Sequence, residues 1–173
     1  MKYKKSKISK GIRPTEKRVK EALFNILGDI SGLSFLDLFA GTGSVGLKAA
    51  SCGAKEVLLV ESDRGALKSL QERVSKGQFH NSIRILSADV FKILERLYSG
   101  GENFDIIFLD PPYYNGLAKK TLQTLDLYDI LTPSGFIIVQ HYKKDILPES
   151  LNILTLYRQY RYGDTVLSLY GRK

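Results

Sequence analysis

The stretch LDLFAGTGSVG, residues 36–46, sets Gly41, Gly43 and Gly46 in the spacing G-x-G-x-x-G. In nucleotide-binding folds that spacing lets the backbone approach a ligand closely where a strand turns into a helix. Here Asp37 precedes the glycines, and Glu61 follows Gly41 by twenty residues, the position from which an acidic side chain hydrogen-bonds a ribose. Asp89 and Asp110 add two more carboxylates at or just after strand ends. A pyrophosphate among them would meet like charge in a partly desolvated cleft, at a cost on the order of several kcal/mol. A nucleoside that carries an ammonium and a sulfonium instead of phosphates suits the same carboxylates. S-adenosylmethionine (SAM) is such a ligand, so the loop reads as the cradle of a methyl donor.

A second constellation, FLDPPYYN (108–115), follows an apolar strand. Consecutive prolines cannot continue a sheet and force a stiff, exposed turn. Each residue of Asp-Pro-Pro-Tyr can then serve an acceptor. Asp110 accepts one N–H of an exocyclic amine, the carbonyl of Pro111 accepts the other, and Pro112 stiffens the turn. Tyr113 offers a ring on which an extruded base can stack, worth ~1–3 kcal/mol per base. Held by both N–H groups, the amine aims its lone pair at an electrophilic methyl, so catalysis is chiefly positioning.

The elements that must place these residues follow from periodicity. TEKRVKEALFNILGDI has Val19, Ala22, Leu23, Ile26 and Leu27 at helical spacing, with Thr15 as its expected N-cap. A strand ending in FLDLF, the glycine loop and a helix to about Ser51 come next. EVLLVE (56–61), IRIL (83–86), FDIIFLD (104–110) and GFIIVQ (135–140) are further strands. Helices are expected over DRGALKSLQERVSK, near 90–98 and around 117–128. The last thirty residues read as two strands joined at Gly163-Asp164. Strands alternating with helices predict an α/β fold: a mostly parallel sheet, helices on both faces and a C-terminal antiparallel hairpin.

The chain has 173 residues, 43% of them hydrophobic and 25% charged, as in an ordinary globular domain. It shows no membrane-length apolar run, its first twenty residues have no apolar stretch of the kind a secretory signal needs, so none is expected, and its single cysteine, Cys52, reads as a small packing residue in a reducing cytoplasm. The net charge of +8 is concentrated: residues 1–20 hold nine bases and one acid, and the remainder holds seventeen of each sign. The basic arm, residues 1–12, is therefore expected to meet phosphates ahead of a single domain spanning 13–173. His80 and His141 lie far apart without metal-ligand spacing, so no metal is expected, and His141 is expected at the surface. Tyr157, Tyr160 and Tyr162 are expected to pack and rim the hairpin.

Arg13-Pro14-Thr15 before RVKEALFNIL, then LDLFAGTGSVG, Glu61 and DPPY, resemble the bacterial 16S ribosomal RNA (guanine-N2) methyltransferase family (RsmD-like), over nearly the whole chain. The resemblance implies a Rossmann-like SAM-dependent methyltransferase fold, SAM as donor, and guanine N2 of small-subunit rRNA as acceptor. A monomer acting in the cytoplasm is expected. By that likeness Asp37 and Phe39, Ala40, Gly41, Thr42 and Gly43 line the methionine end of SAM. Glu61, beside Ser62, holds the ribose, Asp89 the adenine, and Asp110 to Tyr113 the acceptor amine. Arg13 and Thr15 close over the SAM carboxylate. Among the departures from the family pattern, Gln140 stands where the family often has glutamate. The same chemistry on adenine N6 in another RNA or in DNA is the nearer alternative; an NAD-dependent oxidoreductase and a non-catalytic RNA-binding subunit are more distant ones.

Overall fold

The computed structural model describes residues 14–77, 79, 83–113 and 116–173. The basic arm, Arg13, His80, Tyr114, Asn115 and the side chain of Thr15 lie outside that description. Among the described residues, seven strands form one sheet: β1 (Ser34–Asp37), β2 (Glu56–Glu61), β3 (Ile83–Ser87), β4 (Phe104–Leu109), β5 (Leu131–Tyr142), β6 (Leu154–Tyr162) and β7 (Thr165–Arg172). Their order is β3-β2-β1-β4-β5-β7-β6, with the first five parallel and β7 antiparallel to both of its neighbours. The chain runs outward from β1 to β3, then returns to the other side of β1 with β4. Beside that reversal, beyond the carboxyl ends of β1 and β4, such sheets hold their ligands.

The central strands are buried on both faces, which is why they read as unbroken apolar runs. One face buries Phe35, Val57 and Leu59 under α1 (Pro14–Leu27), α2 (Gly46–Ser51) and α3 (Arg64–Lys76), through Val19, Leu23, Ala49 and Leu70. The other buries Leu36, Leu58 and Ile107 under α4 (Val90–Ser99) and α5 (Leu117–Leu127), through Ile93, Leu97, Leu122 and Leu125. No helix of the described residues is long and apolar enough to cross a membrane. Cys52 is half-buried against the first of these cores, as its composition-based reading expects.

Two expectations change. The first helix opens at Pro14, so Thr15 falls inside its first turn and is not the N-cap. Proline suits the first helical position because its fixed φ is already helical and its missing N–H would have no partner there. His141 is buried, 3% exposed. Strand β5 runs on to Tyr142 and is covered along its edge by β7, which pairs His141 with Val166. The ring's Nε2 lies 2.7 Å from the Ser168 hydroxyl and its Nδ1 3.0 Å from the Tyr142 carbonyl, and burial holds its pKa below the ordinary histidine value. On the hairpin, Tyr160 and Tyr162 pack half-buried on the core while Tyr157 stays exposed, its hydroxyl donating to the carbonyl of Arg172.

A buried carboxylate ties α5 to the segment entering β6. Asp126 accepts from the amides of Asn152, Ile153 and Leu154 at 3.0, 2.9 and 3.1 Å. Burial works against its charge, but these donors prevail and hold its pKa below the usual carboxylate value. Its contribution is thus fully present above the unfolded pKa and disappears as pH falls through the lower folded one. Asp126→Ala, which leaves three amides unpaired, is expected to cost about 2–3 kcal/mol at pH 7 in denaturant unfolding. The deficit should shrink toward pH 3.

Candidate active site

After Asp37 the chain leaves β1 and crosses the mouth of the sheet before α2 begins. Backbone bonds pin it on both sides: the Leu38 amide donates to the Phe108 carbonyl at 3.1 Å, and the Ala40 amide to Val60 at 2.9 Å. Glu61, at the end of β2, completes the anchoring. One carboxylate oxygen accepts from the Gly41 amide at 2.7 Å, and the other from the amides of Ser62 and Asp63, both at 2.7 Å. Glu61 thus ties the glycine loop to β2, and a carboxylate with roughly four acceptor positions retains capacity beyond three bonds.

The third glycine serves packing. A Cβ on Gly46 would lie 2.1 Å from a methyl of Leu59, so α2 can sit this close to β2 only with glycine there. Gly43 is buried under the loop and does not line the cleft, unlike Phe39, Ala40, Gly41 and Thr42.

Over the loop opens a cleft of about 730 Å³. It brings together Asp37, Glu61, Ser62, Asp89, Asp110, Pro111, Pro112 and Tyr113, all expected from the sequence, with Glu16, Asp63, Phe91 and Gln140, which were not. Six of these are carboxylates: Glu16, Asp37, Glu61, Asp63, Asp89 and Asp110. Among the described residues, no lysine, arginine or histidine lines it. Asp89 also caps α4, one oxygen accepting from the amides of Phe91 at 3.0 Å and Lys92 at 3.3 Å.

Burial, with acid crowding as a lesser contribution, shifts two of these carboxyls. Asp37 is 1% exposed, and burial raises its pKa to about 7, against a 3.2 Å hydrogen bond from the Phe39 amide and with added repulsion from Asp110 and Glu61. Burial likewise raises Asp110 to about 7, helped by Glu16 and opposed by a hydrogen bond from the Gln140 amide. Both carboxyls are therefore poised to ionise fully when a cation enters beside them.

Pro111 is buried and Pro112 exposed, so the turn is fixed from below and offers its outer side to the cleft. The Tyr113 ring stands 6.2 Å from that of Tyr142 at a 38° tilt. Behind it a smaller cavity of about 110 Å³, with Pro111, Pro112, Gln140, Asp145 and Ile146 in its wall, extends the cleft toward the segment after β5. Phe91 gave a faint signal, being in the first turn of the helix that follows β3, whereas Glu16, on α1, gave none. Gln140 gave none beyond its departure from the family pattern.

The family model described as conserved hypothetical protein 95 matches residues 2–171. Ribosomal RNA small subunit methyltransferase D of Escherichia coli (strain K12) is 32% identical over 166 residues, 95% of this chain and 82% of that protein. The chain belongs to their family. The solved E. coli protein yhhF superposes with a TM-score of 0.82 at 30% identity, covering 96% of this chain and 91% of the other. SMU.776, solved as a complex with SAH, shares the fold at a TM-score of 0.71 and 18% identity, over 92% of this chain and 50% of that one. The fold is that of SAM-dependent methyltransferases, mostly parallel with an antiparallel C-terminal hairpin.

Proposed function

We propose that the protein transfers a methyl group from SAM to an exocyclic base amine of RNA, and that this amine is N2 of a guanine in small-subunit rRNA. In this reading it acts in the cytoplasm as a monomer. The observation that carries the donor is the cleft's charge: six carboxylates and, among the described residues, no cationic side chain. A dinucleotide pyrophosphate would be repelled there, whereas an ammonium and a sulfonium are drawn in. The residues fit SAM: Asp37 and the Phe39–Thr42 backbone would hold its methionine end, Glu61 with Ser62 its ribose, and Asp89 and Phe91 its adenine. When bound, SAM supplies an electrophilic methyl group.

The chain's own residues supply the rest. Asp110 and the Pro111 carbonyl grip the two N–H groups of the acceptor amine, which fixes the direction of its lone pair. Gln140 holds the Asp110 carboxylate in place by a hydrogen bond. Tyr113, braced by Tyr142, stacks the extruded base. In the transfer the methyl's bond to sulfur would break with its electron pair left on the sulfur, S-adenosylhomocysteine being the leaving group; as the new N–C bond forms the amine loses a proton, and the Asp110 carboxylate takes it. A group whose pKa lies near 7 accepts a proton without being lost to permanent protonation at working pH. Guanine N2 as acceptor rests on GIRPT combined with LDLFAGTG, since DPPY alone serves several base amines.

Methyl-labelled SAM, offered with unmodified small-subunit particles, free 16S rRNA and DNA in parallel, tests the whole reading. Label in N2-methylguanosine is the expected result, and label in N6-methyladenosine or in DNA alone overturns the acceptor. The raised carboxylates add a pH signature. SAM affinity is expected to rise roughly tenfold between pH 6 and 8, one pKa unit's worth of interaction. Calorimetry in buffers of different ionisation enthalpy should register proton release on binding below pH 7; its absence would sink the charge argument.

A further inference from the structure

Charge changes sign across the glycine loop. On its inner side lies the acidic cleft. On its outer side three helices surround an open concavity of about 420 Å³, into which Lys20 of α1, Lys48 of α2, and Arg73 and Lys76 of α3 all face. No carboxylate lines it among the described residues, and Ser44 is common to both hollows. The sequence gives no hint of this segregation, because beyond residue 20 acids and bases balance at seventeen each. Neutral in sum, the remainder is polarised in space.

Two of the four cations are already oriented. Arg73 donates from Nη1 to the Thr42 carbonyl at 2.7 Å and to its hydroxyl at 3.3 Å, and Lys20 Nζ donates to the Ser44 hydroxyl at 2.9 Å. A guanidinium has five N–H donors and an ammonium three, so each keeps donors for a ligand. The side chains of Lys48 and Lys76 are exposed and have no hydrogen-bond or ion-pair partner among the described residues. Four like charges held in one hollow without a counter-charge repel one another, and an anion spanning them relieves that repulsion.

We infer that this concavity binds the phosphodiester backbone of the substrate RNA, an inference that rests on the proposed RNA methyltransferase activity. An extended polyanion suits it better than a single small anion. The cations come from three separate elements around an open hollow, and Lys20 continues the basic run of residues 1–20. Strand held here would pass along the outside of the donor loop while its target base enters beside Asp110. The hollow confers affinity and register without reading sequence.

The test is the doubly substituted Lys48→Ala/Lys76→Ala protein, whose changed side chains do not line the cleft and make no hydrogen bond to the loop among the described residues. RNA affinity is measured against salt from 50 to 300 mM with the full chain, and methylation kinetics are run on the same RNA. Losing two phosphate contacts should reduce the slope of log K against log[salt] by roughly 1.4–1.8. KM for RNA should rise about tenfold at low salt, with kcat and SAM affinity unchanged. An unchanged slope in a variant that still binds SAM overturns the inference even if the wild type methylates RNA. A wild type that neither binds nor methylates RNA overturns the proposed function, and this inference with it, without recourse to the variant.

Discussion

Asp110→Ala is expected to lower methyl transfer by roughly 10²–10⁴-fold while SAM affinity stays within about tenfold. The separation follows from what holds each part. The donor loop is pinned by Glu61 and by backbone bonds to β2 and β4, none of which passes through the Asp110 side chain. The amine, by contrast, loses both an orienting acceptor and the group that takes its proton. The variant should also fold at least as well as the wild type. A carboxyl whose folded pKa lies above its unfolded value binds more protons in the native state between about pH 4 and 7, so its ionisation costs stability as pH rises through that window. Removing it removes that cost, on the order of a few kcal/mol at most near pH 8. Asp110→Asn, which keeps an acceptor oxygen but cannot take the proton, should retain part of the rate. Loss of SAM binding or of folding in the alanine variant would place Asp110 in the donor site or the scaffold, against the role proposed.

Much of this site was legible because its residues are local to strand ends. A run such as FDIIFLD followed by two prolines can end in few ways, and an acid at the last strand position must face the crevice. The elements of the parallel half were legible for a related reason: strands covered on both faces show no alternation, and their helices show one apolar stripe. What escaped was set by pairings distant in sequence. Nothing in β5 or β7 alone says that β7 inserts between β5 and β6, so His141 read as exposed when it is sealed against Ser168. Glu16 acts on Asp110 only because the first turn of α1 lies at the cleft, and Lys48 and Arg73 become neighbours only once α2 and α3 lie side by side. The glycines were recognised as a set, yet they divide: Gly41 lines the ligand space, whereas Gly43 and Gly46 pack beneath it.

That division yields the second large effect. Gly43→Ala should destabilise the fold by about 2–5 kcal/mol, the sum of a left-handed backbone cost and an overpacked contact. Gly43 has φ of +81°, and an added Cβ would lie 2.4 Å from a methyl of Leu70. Leu70 is wholly buried in the core under α3, so it cannot swing aside cheaply. For a protein of this size the loss corresponds to a fall in Tm of roughly 5–20 °C, readable by calorimetry. Gly41→Ala is the matched contrast. Its φ of +54° carries a smaller left-handed cost, and its Cβ would meet nothing within 4 Å. That Cβ would nonetheless stand on the cleft wall, at the residue whose amide Glu61 holds. Gly41→Ala should therefore keep Tm within a few degrees of wild type and lose SAM affinity, whereas Gly43→Ala should lose stability first. If both variants lost stability equally and bound SAM alike, the loop would be a plain strand-to-helix turn, and the acidic cleft above it would need another ligand.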